Sequence, residues 1–159
     1  MQKIFVIPLF FLIFFLQGCT THYYEAPQSA LIVIKSPTLR YADMGFIYRG
    51  KRHVKVQVYA SGKAVFTMTI GKRICVNQQC MSETQFYKNY LHAYYPKGTL
   101  VNIFLKRPIF GGVNFETEKG KGVQQIFENG KFDIIYTFDS TSSQFRDRTN
   151  HILIKIMER

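Results

Sequence analysis

Alternation of apolar and polar positions is plainest in His53-Val54-Lys55-Val56-Gln57-Val58-Tyr59, where three valines face one way and polar side chains the other. Residues 64–70 repeat the pattern with Phe66, Met68 and Ile70 inward, and Ala42, Met44, Phe46 and Tyr48 recur at every second position up to Arg49. A short branched-apolar run over 30–35 precedes them. The connections Gly50-Lys51-Arg52, Ser61-Gly62-Lys63 and Gly71-Lys72 are turn-length and contain glycine. These strands are therefore expected to form an antiparallel meander that continues through 73–76. Farther on, segments 122–128 and 131–138 flank Asn129-Gly130, the strongest hairpin signal in the chain, with Phe132, Ile134, Tyr136 and Phe138 on one face. A last strand is expected over 151–156, with Ile152, Ile154 and Ile156 inward.

Between the two groups, Ser82-Glu83-Thr84-Gln85 has the form of a capping box, and Phe86, Tyr87, Tyr90 and Leu91 follow at helical spacing. One short helix over about 82–92 is expected, its aromatic stripe packed on the sheet rather than holding a ligand. Residues 99–105 read as a strand. The stretch 106–122 holds Pro108, several glycines and lysine-rich turns without a clear period, with Ile109, Phe110 and Phe115 as its apolar contacts. A loop of that length inside a compact domain is uncommon and often functional. Residues 139–150 read as a polar connection. The sum is a mainly β fold: about nine strands in an antiparallel sandwich or barrel-like sheet, with one short helix on one side.

The first 18 residues belong to a different pattern. Met1-Gln2-Lys3 precedes a charge-free apolar run over 4–16 that ends at Gln17-Gly18-Cys19. The run is shorter than the roughly 20 residues a membrane-crossing helix needs, and it reads as a signal peptide outside the fold. Leu16-Gln17-Gly18-Cys19 resembles the lipobox of bacterial lipoproteins, with Gln17 departing from the usual residue at the most variable position. The resemblance implies cleavage after Gly18, a diacylglyceryl thioether on Cys19 and an acylated amino terminus, hence membrane attachment through lipid. The same resemblance, with Thr20 where aspartate would signal retention in the inner membrane, implies the outer membrane. The expected organisation is signal peptide 1–18, lipidated tether 19–29 and one β-rich periplasmic domain 30–159. Lipobox, short tether, β-rich domain and positive charge together resemble small lipoproteins of epsilon-class proteobacteria such as Helicobacter and Campylobacter.

Composition sharpens this picture. The full chain carries a net charge of +11, and removal of residues 1–18 takes away one lysine and no acid. Such a balance favours anionic partners, either anionic lipid or another envelope protein, while the export signal argues against nucleic acid. With Cys19 lipidated, Cys75 and Cys80 remain, an even pair in an oxidising compartment with Asn and Gln between them. A structural disulfide closing a small loop is the favoured reading. A redox motif would have two intervening residues, and a zinc site would need a second pair of ligands.

His22, His53, His92 and His151 fall in different elements, and no phosphate loop, nucleophile elbow or helical zinc-binding pair occurs. No cofactor, metal or catalytic group is therefore expected, and the leading function is a non-catalytic interaction or scaffold module of the envelope. The alternatives are a lipopolysaccharide- or lipid-binding carrier or outer-membrane assembly factor, then an enzyme, then a lysozyme inhibitor. The last is disfavoured because its target is also strongly basic.

Strand geometry adds one candidate surface. Successive turns of a meander alternate between the ends of the sheet, so the turns at 49–52 and 71–73 share an end that the turn at 61–63 does not. Arg49, Lys51, Arg52, Lys72 and Arg73 are expected to cluster there. The plain alternative is that turns are simply where lysine and arginine are easiest to place.

Overall fold

The computed structural model describes residues 23–159. The expected signal peptide 1–18 and Cys19 lie outside them. Eleven strands form one antiparallel sheet: β1 (Gln28–Lys35), β2 (Arg40–Arg49), β3 (Val54–Ala60), β4 (Lys63–Ile70), β5 (Ile74–Val76), β6 (Gln79–Met81), β7 (Phe115–Glu118), β8 (Lys121–Glu128), β9 (Phe132–Phe138), β10 (Ser142–Asp147) and β11 (Ile152–Glu158). Their spatial order is β6-β5-β4-β3-β2-β1-β11-β10-β9-β8-β7. Two meanders, β1 to β6 and β7 to β11, are thus joined where β1 pairs with β11, from Ala30 opposite Glu158 to Lys35 opposite Leu153.

Tight turns make this topology possible. Ser61-Gly62, Asn77-Gln78 and Lys119-Gly120 each place both central residues at positive φ, the two-residue hairpin geometry that matches strand twist. At Asn129-Gly130 only the glycine does so, and the Lys131 amide donates to the Glu128 carbonyl at 2.9 Å, giving a three-residue connection.

The segment joining the meanders covers the inner face. Helix α1 (Glu83–Phe86) opens with the expected capping box at Ser82 and runs into a π-helical turn, Tyr87–Leu91. Phe86, Tyr87 and Leu91 are buried, so the aromatic stripe is a packing face. The structure corrects residues 99–105 from strand to helix α2 (Thr99–Leu105), with Leu100, Ile103 and Phe104 buried. Spacing of i, i+3, i+4 puts these three on one side, in the core shared with the sheet. Gly98 at α2's N-terminus has no capping side chain of its own. Instead the Tyr87 hydroxyl accepts the Leu100 amide at 3.0 Å, and the Glu83 carboxylate accepts the Gly98 amide at 3.0 Å. Groups from the preceding helix thereby satisfy amides that a helix start leaves open.

In β2 the alternation of Ala42, Met44, Phe46 and Tyr48 lies away from the core. Gly45 and Ile47 are the buried positions, and Phe46 is 39% exposed. Gly45 decides this parity, because a Cβ there would stand 2.2 Å from the Gln57 carbonyl oxygen of β3 and 2.8 Å from Ile32 Cδ1. The outward aromatics form their own layer, with Phe46 edge-on to Tyr59 at 5.8 Å and Lys55 Nζ 5.2 Å from the centre of the Tyr48 ring.

The remaining differences fall on polar segments. The stretch 106–122 contains a 3-10 turn, Phe110–Gly112, and edge strand β7. Buried Gln124 pins it by accepting the Ile109 amide at 2.8 Å and donating to the Ile109 and Val113 carbonyls at 3.1 and 2.6 Å. The expected polar connection 139–150 contains β10, whose inward residues are Ser143, Phe145 and Asp147. Among the described residues every buried side-chain nitrogen and oxygen has a hydrogen-bond partner.

Candidate functional site

The Cys75–Cys80 disulfide is present, across directly opposed positions of the β5–β6 hairpin. It ties short edge strand β6 to the sheet beside the β4–β5 turn, which carries Lys72 and Arg73. The Arg73 guanidinium donates to the Cys80 carbonyl at 2.7 Å, so the bridge and its hairpin also position a cation.

The turns at 49–52 and 71–73 do lie at one end of the sheet, since β3 pairs antiparallel with both β2 and β4. At this end Arg52, His53, Lys72 and Arg73 border a groove of about 970 Å³. Its opposite wall is Val101, Asn102 and Leu105 of α2, followed by Arg107, a cation that the sequence reading did not include. Arg107 reaches back so that its guanidinium donates to the Lys51 carbonyl at 3.3 Å. Lys51 thus contributes its backbone to the rim of the groove, and its side chain is exposed on the same turn. Among the described residues no carboxylate lines the groove.

Arg49 is placed differently. It is the last residue of β2, on the same parity as buried Ile47, and its Nε donates to the Phe104 carbonyl at 2.8 Å. Its guanidinium pairs with Glu158 of β11 at 2.6 Å, and Lys106 Nζ meets the same carboxylate at 2.8 Å. It is therefore ion-paired inside the structure, sharing the Glu158 carboxylate with Lys106. By contrast, Lys51, Arg52, Lys72, Arg73 and Arg107 have no carboxylate within ion-pair distance among the described residues. Carbonyl partners orient Arg73 and Arg107 without neutralising them, and four such side chains around one hollow make a local positive field.

The chain enters the domain at this groove. Tyr24 lines it and packs edge-on against the His53 ring, with centroids 4.7 Å apart. His53 Nε2 lies 3.2 Å from the Tyr23 carbonyl, and the Glu25 amide donates to the Arg49 carbonyl at 2.7 Å. The tether expected over 19–29 is thus fastened to the domain from Tyr23 onward, and strand pairing begins at Gln28.

A second hollow, of about 720 Å³, lies over β7 to β9 and has the opposite character, with Glu116, Glu118 and Asp133 in its lining beside Arg148. Arg148 pairs with Asp133 at 3.7 Å. Two groups that titrate away from their ordinary range, Asp139 and Tyr95, serve structure. The backbone bond from the Thr141 amide is the largest effect on the Asp139 carboxyl; burial opposes it, and further bonds from Ser142 and the Thr141 hydroxyl bring the carboxyl down to about 2. Tyr95 is pushed well up by burial and by its 2.5 Å bond to Asp147, which keeps the phenol a neutral donor. Among the described residues no group of three or more His, Cys, Asp or Glu side chains could hold a metal ion.

Comparison with family models, with curated proteins and with solved structures returns no match.

Proposed function

We propose that this chain is a non-catalytic interaction module of the bacterial envelope, held on the outer membrane by lipid at Cys19, with the cationic groove as its working surface. The observation that carries the reading is the groove itself: Arg52, Lys72, Arg73 and Arg107, from three parts of the chain, meet around one hollow with no acidic residue in its lining. The lipobox-like Leu16-Gln17-Gly18-Cys19 supplies the anchor, and among the described residues no helix is long and apolar enough to cross a membrane.

Two experiments test the reading. Cys19→Ser should leave an uncleaved precursor that takes up no labelled palmitate, and normal processing and labelling would remove the anchor. A chain starting at Thr20 keeps every described element. In that chain, reversal of Lys51, Arg52, Lys72 and Arg73 to Glu should weaken salt-sensitive binding to anionic liposomes far more than reversal of Lys63, Lys97 and Lys131. Equal losses would mean that only net charge matters.

A second reading, a carrier for phosphate-bearing lipids, draws on the apolar side chains of Val101 and Leu105 that share the groove with the cations. Failure of the Thr20 chain to bind lipopolysaccharide at moderate salt would exclude it.

A further inference from the structure

The point where the chain enters the domain and the groove are one place. Tyr24 is part of the groove's wall, and the Tyr23 carbonyl lies against His53 on its rim. Only four residue steps separate Tyr23 from Cys19, and a fully extended chain covers at most about 14 Å in that length. A ten-residue tether would leave the domain free to present any face to the bilayer. A link this short does not.

We propose that the groove rimmed by Arg52, Lys72, Arg73 and Arg107 docks on the anionic phospholipid headgroups of the same membrane that holds the chain's own anchor, so that the domain sits with this end down. The inference rests on the reading of Cys19 as the lipidated residue. Charge complementarity gives the occupant: among the described residues the four cations have no carboxylate partner, and lipid phosphates are the anions that the anchor brings within reach. Screening sets in at roughly 10 Å in 0.1 M salt, a length comparable to the tether, so the headgroup layer lies inside the groove's field. Tethering also raises the local headgroup concentration, so a contact too weak to hold a free protein still fixes the orientation of an anchored one. The far end, at Ser61-Gly62-Lys63, stands a full strand away, about 20 Å for the seven residues of β3, and faces the periplasm.

The chain contains no tryptophan, so a single introduced one reports alone. Lipidated mature protein carrying Lys51→Trp or Lys63→Trp is reconstituted into vesicles of phosphatidylethanolamine and phosphatidylglycerol, or of phosphatidylcholine, each doped with a lipid bearing a nitroxide on its headgroup. In the anionic vesicles the Lys51→Trp reporter should be quenched several-fold more than the Lys63→Trp reporter. That difference should collapse in phosphatidylcholine, and when Arg52, Lys72, Arg73 and Arg107 are changed to Gln. Raising the salt to 1 M on the unaltered groove should have the same effect, which decides the matter should the fourfold variant fold poorly. Equal quenching of the two reporters in protein that stays with the vesicles through a high-salt wash overturns the orientation and leaves the anchor standing. Release of the protein by that wash overturns the anchor, and the orientation with it.

Discussion

Glu158→Gln tests the charge cluster formed by Glu158, Arg49 and Lys106. Glu158 holds Arg49 at 2.6 Å and Lys106 at 2.8 Å, with only 11–14% of each of the three side chains exposed. Glutamine keeps the shape and one acceptor oxygen but removes the charge, leaving two cations side by side in a place that water barely reaches. Charge centres about 4 Å apart at an effective dielectric of 20 interact by about 4 kcal/mol, part of which is offset by desolvation in the intact site. Loss of one partner from a buried pair costs about 3–5 kcal/mol, and the slight exposure here places the expected loss near the lower end, about 3 kcal/mol. Urea unfolding followed by circular dichroism measures it. Adding Arg49→Met to Glu158→Gln removes one stranded cation and should recover about 1 kcal/mol or more. The single variant should also bind anionic vesicles more tightly, since it adds net positive charge beside the groove. A loss under about 0.5 kcal/mol would place the cluster with ordinary surface pairs and refute the reasoning.

Three further outcomes follow from the same structure. Alkylation without reductant should leave Cys75 and Cys80 unmodified, and replacing both with Ser should cost about 2 kcal/mol by the loop-entropy estimate while the protein still folds; alkylation of both thiols in envelope-derived protein would contradict the bridge. Asp139, with its folded-state pKa depressed to about 2, contributes stability that is present above the ordinary carboxylate pKa of about 3.9 and lost as pH falls from there through about 2. Asp139→Asn should flatten that acid limb when unfolding is compared at pH 5 and pH 2.5, and an unchanged slope would remove Asp139 as its source. Gln78 occupies a positive φ of 77° in the β5–β6 turn, so Gln78→Gly should raise stability by about 0.5–1 kcal/mol in a thermal melt, and a decrease would show that the side chain contributes more than the strain costs.

Strands with one apolar parity were legible because only one pairing buries their side chains: Val54, Val56 and Val58, or Ile152, Ile154 and Ile156. In β2 both parities carry large apolar groups, and hydrophobicity alone could not choose between Phe46 and Ile47. The choice rests on Gly45, whose missing side chain admits the β3 backbone. Residues 99–105 contain valine, isoleucine and phenylalanine, which favour strands in isolation, but Leu100, Ile103 and Phe104 share a helical face, and residues in the left-handed conformation, Gly98 and Lys106, bound the segment. The signal was present and composition outweighed it. β10 was hidden for a different reason: its inward Ser143 and Asp147 are stabilised by bonds to the Ile103 carbonyl and to the Tyr95 hydroxyl, partners that exist only once the chain has folded.

The candidate site divides along similar lines. Alternation of turns was enough to bring Lys51, Arg52, Lys72 and Arg73 to one end, because that requires only antiparallel pairing. Arg49 could not be separated from them in sequence, since its fate depends on parity in β2 and on Glu158, which arrives on β11 across the intervening β1. Arg107 joins the groove only because 99–105 is a helix that returns the chain to this end. What leaves the groove cationic is where the acids go. Glu83, Asp139, Asp147 and Glu158 are engaged by amides, hydroxyls or buried cations within the fold. Glu116, Glu118 and Asp133 collect over β7 to β9. Seven of the ten acidic residues are thus committed elsewhere, and the other three, Glu25, Asp43 and Glu128, are exposed and outside the groove's lining. The positive field there reflects how the fold commits its carboxylates, as much as how many lysines and arginines the chain carries.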